Sequence, residues 1–257
     1  MLSKNLIKTV KSLEHKKGRK KNRLFVAEGP KIISEMFKKY APQTIIATKE
    51  WLENNDNSHS TESDIIEVTD EELRKISFLQ HPQQVLATFR IPKENLYESN
   101  NIIPPCNMSE NLVLVLDGVQ DPGNLGTIIR IADWFGIDNI ICSNDTADAY
   151  NPKVVQATMG SLAHVCIQYT DLVSFLCSLS PSIPIYGTLL DGSDIYRQEL
   201  TGNGIIIMGN EGNGISYNVR RFVNRHLLIP HFNSGDTAES LNVAIATAIT
   251  CSEFRRR

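Results

Sequence analysis

The chain has 257 residues, 41% of them hydrophobic and 21% charged, with a net charge of −3; this is enough apolar material for one large or two modest cores in a globular protein. No run approaches the roughly 18–20 apolar residues of a membrane helix, and no apolar block follows the basic N-terminus as it would in a secretory signal, so a soluble protein is expected. The five cysteines (Cys106, Cys142, Cys166, Cys177, Cys251) are scattered without C-x-x-C spacing, which argues for reduced thiols in the cytoplasm and against a disulfide frame or a metal site.

The small net charge hides an asymmetry. Across residues 1–49, thirteen Lys and Arg oppose three Glu, a net of +10, and the densest part is His15-Lys-Lys-Gly-Arg-Lys-Lys-Asn-Arg23. Lys16, Lys17, Arg19, Lys20, Lys21 and Arg23 are therefore the candidate RNA-contacting residues, since counterion release from phosphates drives binding to such a block. A solvated helix face is the plainer reading of the same charges.

In chain order, Leu24–Ala27 reads as a strand, Pro30 opens a helix with Ile32, Ile33, Met36 and Phe37 on one face, and Thr44–Thr48 and Ile65–Val68 read as strands. Thr69 or Asp70 caps a helix over Glu71–Ser77, with Glu72 placed for a capping box on Thr69. Val85–Phe89 is a further strand, and 53–63 a polar loop. These elements describe a small basic α/β domain over residues 1–92. Prolines and lost periodicity place a linker at 93–110.

A second domain is expected over 111–257. Leu112–Asp117 is a continuous apolar run, typical of a strand buried on both faces. A helix follows through Trp134, ended by Gly136. Asn139–Cys142, Val165–Tyr169, Ile185–Leu189, Ile205–Met208 and Leu227–Ile229 supply five more strands with helical patterns between most of them. The alternation predicts a parallel sheet covered by helices.

Three loops follow apolar runs in this domain. Gly118-Val-Gln-Asp-Pro-Gly123 leads into Asn124 and a helix bearing Arg130 in an otherwise apolar stretch. Gly209-Asn-Glu-Gly-Asn-Gly214 carries Glu211 as its one charge, and its glycines let backbone approach a ligand. The third runs from Ile229-Pro230 to Ser240, a good N-cap for the helix beyond it, with Asn242 in the first turn of an apolar helix, where a buried carboxamide needs a partner. Strand-end loops on one edge of an α/β sheet are where such folds bind ligands. A dinucleotide site is disfavoured, because G-x-G-x-x-G is absent, and so is a P-loop.

Asp121-Pro-Gly-Asn-Leu-Gly-Thr-Ile-Ile-Arg130, Met208-Gly-Asn-Glu-Gly212 and Ser240-Leu-Asn-Val243 resemble, in order, the three motifs of the SpoU/TrmH family of S-adenosylmethionine-dependent RNA ribose 2′-O-methyltransferases. The resemblance runs from about Asn111 to the C-terminus. It implies a SPOUT-type sheet with a C-terminal trefoil knot, a topology that chain-threading rules would not suggest. It also implies a homodimer, and a donor held by backbone groups at Gly209, Ile229 and Leu241, with Met208, Pro230 and Val243 beside them. The N-terminal region looks like the ribosomal-protein-like substrate-binding domain of many members. Two departures stand out: the stretch from Pro230 to Ser240 is longer than in many relatives, and Gln156 replaces a frequent Arg.

The reaction this implies is methyl transfer to a ribose 2′-hydroxyl of structured RNA, rRNA favoured over tRNA. Arg130 is expected to orient ribose and phosphate and to stabilise charge on the attacking oxygen, because a guanidinium does not give up its proton. Glu211 is the candidate proton acceptor, and Asn124, Ser240 and Asn242 are expected to hold Arg130 and the loops in register. The alternative is an RNA-binding protein of the same fold without catalysis.

Overall fold

The computed structural model describes residues 2–55, 64–92, 109–233 and 240–256. The chain forms two compact units. The first is Met1–Leu96 together with Asp148–His164, and the second is Tyr97–Ala147 together with Val165–Arg257. Of the linker anticipated at 93–110, only the turn at 109–110 falls among the described residues.

The first unit opens with two helices where the sequence pattern shows only a block of charge. In α1 (Lys4–Ser12), Ser3 caps the N-terminus, and the side chains of Leu6, Ile7, Val10 and Leu13 turn inward. They join Val26, Ile46, Val68, Leu73, Ile76 and Leu86 in one core. α2 (Lys16–Asn22) lies so close to the end of α1 that a Cβ on Gly18 would stand 1.9 Å from the Ser12 carbonyl oxygen. Arg23 ends α2 with a left-handed backbone, φ 54°.

β1 (Leu24–Glu28), β2 (Pro42–Ala47), β3 (Asp64–Glu67) and β4 (Val85–Arg90) form a four-stranded sheet in the order β1-β4-β2-β3. β4 is antiparallel to both of its neighbours, and β2 is parallel to β3. α3 (Pro30–Met36) buries Ile32, Ile33 and Met36 as the spacing predicts. The capping box on Thr69 forms at the start of α5 (Asp70–Ile76). The supposed loop at 53–63 begins later than expected, because Thr48 caps a helix, α4 (Lys49–Asn54), that sinks Trp51 to 4% exposure; residues 56–63 lie outside the described set.

Residues 148–164 complete this unit from far along the chain. A short helix over Pro152–Ala157 packs on β1, and Tyr150 lies 4.9 Å from Phe25, ring centre to ring centre. Asp148 accepts from Arg19 Nε (2.9 Å) and Nη2 (2.6 Å) through one carboxylate oxygen, both side chains being buried. Arg19 Nη1 donates to the carbonyls of Leu13 and Glu14, each at 2.8 Å. Arg19 is 1% exposed, so it leaves the set of RNA-contacting candidates. A guanidinium taken out of water needs this full set of acceptors, and one so engaged cannot also meet a phosphate.

The second unit is a six-stranded, wholly parallel sheet. Its strands are β5 (Leu112–Leu116), β6 (Asn139–Ser143), β7 (Cys166–Thr170), β8 (Ile185–Asp194), β9 (Gly204–Met208) and β10 (Arg225–Leu228), in the order β10-β8-β9-β5-β6-β7. β5 and β9 are buried at every residue, as continuous apolar runs in a covered parallel sheet should be. From β5 the chain moves outward through β6 to β7, then returns on the other side with β8 and β9. The β5–β9 boundary is therefore the switch point, where such folds place their ligand sites. α6 (Pro122–Trp134) follows β5, and α10 (Val243–Arg255) packs against it. α7 (Pro152–Ala157, the helix already placed in the first unit), α8 (Leu172–Cys177) and α9 (Tyr217–Arg220) are shorter. Cys142, Cys166, Cys177 and Cys251 are free, and burial pushes the Cys251 thiol up to about 12. No described helix is long and apolar enough to cross a membrane, and no group of metal-ligating side chains occurs among the described residues.

Candidate active site

The loops after β5 and β9 leave the sheet at the switch point, and their strands set them side by side, Leu116 opposite Met208. Asp117 N donates to the Met208 carbonyl at 2.9 Å, and the Asp117 carboxylate accepts from Ser216 N at 2.7 Å beyond the second loop. Gly118 turns with φ 74°, and its N–H donates to Ser143 Oγ at 2.9 Å. Ser143 in turn meets Thr146, whose hydroxyl donates to the Leu116 carbonyl at 3.2 Å. These hydroxyls and Asp117 escape sequence reasoning, because a Ser or Thr after a strand carries no signal of its own.

Asp121 caps α6, accepting from Asn124 N at 2.8 Å, and Pro122 takes the first helical position. Leu125, Ile128, Ile129 and Ala132 face the core. Gly123, Thr127, Arg130 and Trp134, four and three residues apart in turn, make up the exposed face. Arg130 is thus a surface group despite its apolar sequence neighbours, and among the described residues it has no hydrogen-bond or ion-pair partner.

The second loop is tight. Asn210 and Gly214 exchange both backbone hydrogen bonds at 2.9 Å, and a Cβ on Gly209 would stand 2.2 Å from the Gly214 carbonyl carbon. Only glycine fits at 209, so this loop presents main chain at the strand end. Met208 beneath it is buried.

In the third loop Ile229 and Pro230 are half-buried, and residues 234–239 lie outside the described set, the lengthened stretch among them. The helix cap falls two residues later than expected. Ser240 is exposed and does not cap; Asn242 does, its Oδ1 accepting from Ala244 N (3.0 Å) and Ile245 N (3.3 Å). Asn242 is exposed rather than buried, because α10 begins at the rim of the sheet. Leu241 is 50% exposed, and Val243 points into the core.

One chain of hydrogen bonds joins the three loops. Asn242 Nδ2 donates to Asn124 Oδ1 at 2.9 Å, and Asn124 Nδ2 donates to Glu211 Oε1 at 2.8 Å. Its polarity is forced. The start of α10 offers only N–H groups, so the oxygen of Asn242 must face them; each carboxamide then turns its NH2 to the next acceptor, and the last acceptor is a carboxylate. Of the residues expected to hold Arg130 and the loops in register, Asn124 and Asn242 meet in this chain and Ser240 stands outside it, as does Arg130 itself.

A parallel sheet with bonded loops at its switch point is where α/β proteins place their ligand sites. The SpoU rRNA Methylase family matches residues 111–252, and the MRM3-like substrate binding domain matches residues 4–87. The 23S rRNA (guanosine(2553)-2′-O)-methyltransferase RlmP of Bacillus subtilis is 31% identical over 255 residues, covering 97% of this chain and 95% of the relative. A TrmH-family structure from Porphyromonas gingivalis superposes with a TM-score of 0.87 at 40% identity, covering 100% of this chain and 99% of its own. An AdoMet-bound rRNA methyltransferase from Sinorhizobium meliloti gives a TM-score of 0.84 at 29% identity, covering 100% and 96%. The chain belongs to the SpoU rRNA methylase family, the family its three motifs resemble.

Proposed function

We propose that the protein methylates a ribose 2′-hydroxyl of ribosomal RNA with S-adenosylmethionine as donor, and that 23S rRNA, the substrate named for its Bacillus subtilis relative, is its target. The observation that carries this reading is the bond chain from Asn242 through Asn124 to Glu211, which unites the three motifs in one constellation. A loop that offers main chain and one carboxylate, with glycine obligatory at 209, suits a donor held by backbone groups of Met208, Gly209, Ile229, Pro230, Leu241 and Val243. The donor supplies an electrophilic methyl group on sulfonium sulfur, so the protein's task is alignment and the handling of one proton.

Arg130, exposed and without a partner among the described residues, takes the phosphate and ribose of the acceptor and stabilises charge on the attacking oxygen. Asn124 holds Glu211 through one carboxylate oxygen, and Glu211 receives the hydroxyl proton. Lys16, Lys17, Lys20, Lys21 and Arg23, all exposed on the first unit, bind RNA backbone. The knot of the C-terminal segment, a homodimer and a cytoplasmic location belong to the same reading.

The test is transfer of labelled methyl from S-adenosylmethionine to 23S rRNA isolated from cells lacking the gene, with alkali-resistant linkages mapped to one nucleotide. Label in tRNA alone would move the substrate. Donor binding without transfer to any RNA would leave an RNA-binding protein of this fold.

A further inference from the structure

Asn210 lies between the proposed donor-binding Gly209 and the proposed proton acceptor Glu211, and takes part in neither role. Its side chain is the most heavily engaged in the second loop. Oδ1 accepts from Gly212 N (2.9 Å) and Asn213 N (3.0 Å), while Nδ2 donates to the Gly118 carbonyl at 2.7 Å. Its backbone closes the loop on Gly214 in both directions. The amide orientation is fixed, because two N–H groups on one side demand an oxygen and a carbonyl on the other demands a donor.

We infer that Asn210 is a positioning residue for catalysis: its carboxamide shapes the turn that carries Glu211 and pins that turn to the loop after β5. Asn124 holds Glu211 by its carboxylate, and Asn210 holds the backbone from which Glu211 projects. The carboxylate is thus fixed at both ends relative to α6, the helix of Arg130. Neither Asp nor Ser supplies this pattern. Asp keeps the oxygen that shapes the turn but sets a second acceptor against the Gly118 carbonyl. Ser keeps one acceptor and is too short for the far contact.

This rests on the methyltransferase reading, so the experiment separates the two. Donor affinity by calorimetry, kcat and KM for both substrates, and thermal midpoint are measured for the full chain, for Asn210→Asp and for Asn210→Ser. With a positioning role, kcat at saturating donor and RNA falls about tenfold or more in both variants, donor affinity falls by a similar factor, and the midpoint moves by only a few degrees. Asn210→Asp is the more impaired. Wild-type kcat in a folded Asn210→Asp protein overturns the inference; should that variant fail to fold, wild-type kcat in Asn210→Ser does so. A lowered midpoint with kcat intact also overturns it, assigning Asn210 to the fold alone. If the unaltered protein neither binds the donor nor transfers methyl groups, the functional reading fails instead.

Discussion

At the sheet edge of the second unit, polar side chains bond one another in a single permitted order, from the amides opening α10 through Asn242 and Asn124 to Glu211. On α2 of the first unit, Lys16, Lys17, Lys20 and Lys21 stand exposed, and only the guanidinium of Arg19 is taken into the interior. The first arrangement ties side chains from three loops to one another in a defined direction, as alignment of a single reacting hydroxyl demands. The second spreads charge over a face, which suits a polyanion read by its backbone and not by its bases. Geometry carries one region and charge the other, and substitutions distinguish the two regions by what they change.

The largest effect belongs to Arg130. Arg130→Ala is expected to lower kcat by about a hundred- to a thousandfold, the scale seen when a transition-state charge partner is removed. Donor affinity stays near wild type, because no hydrogen bond among the described loop residues runs through Arg130. Single-turnover transfer beside donor calorimetry checks this. Appreciable turnover would remove Arg130 from the charge-stabilising role and leave the bonded chain without a cation.

Arg19 comes next, and its effect is on stability. Arg19→Ala strands the Asp148 carboxylate in the core and is expected to cost the first unit about 3–5 kcal/mol. Chemical denaturation followed by a probe in that unit reads the shift; two units need not unfold together. An unchanged midpoint would mean that water replaces the guanidinium and that the Arg19–Asp148 pair does not hold the first unit together.

Exposed lysines give a smaller and different response. Replacing Lys16, Lys17, Lys20, Lys21 and Arg23 by Gln should change stability by no more than about 0.5 kcal/mol for each substitution. RNA affinity should weaken, and its logarithmic salt slope should flatten by about one for each phosphate that is no longer neutralised. A slope equal to wild type would show that RNA lies elsewhere on the protein.

Much of this architecture is legible in the sequence, for physical reasons. β5 and β9 lie inside a covered parallel sheet, where both faces demand apolar residues, so Leu112–Leu116 and Gly204–Met208 announce themselves as runs. The Thr69 capping box is local and is set by residues three apart. What escapes is long-range. Arg19 looks like its neighbours in sequence, and only Asp148, 129 positions away, makes it a core residue. Likewise, nothing in the sequence marks Asp148–His164 as belonging with the first unit. The site is legible in motif order, yet Asn210 carries no mark of its own, since its partner Gly118 lies 92 residues back on an adjacent strand end.

Asn242 joins the two kinds of effect. Its oxygen caps α10 while its NH2 group faces Asn124. Asn242→Asp preserves the cap, and a carboxylate suits a helix N-terminus. It also turns an acceptor toward the Asn124 oxygen, so that carboxamide must flip and present its own oxygen to Glu211. Asn242→Ala loses the cap as well, at about 1 kcal/mol. The Asp variant should therefore keep the wild-type thermal midpoint and still lose activity, while the Ala variant loses both. Wild-type activity in the Asp variant beside lost activity in the Ala variant would show that the cap, and not the direction of the bond chain, is what catalysis requires of Asn242. A double-mutant cycle with Asn124→Ala sharpens this, since residues acting through one chain of bonds give coupling energies of about 0.5–3 kcal/mol and independent ones add.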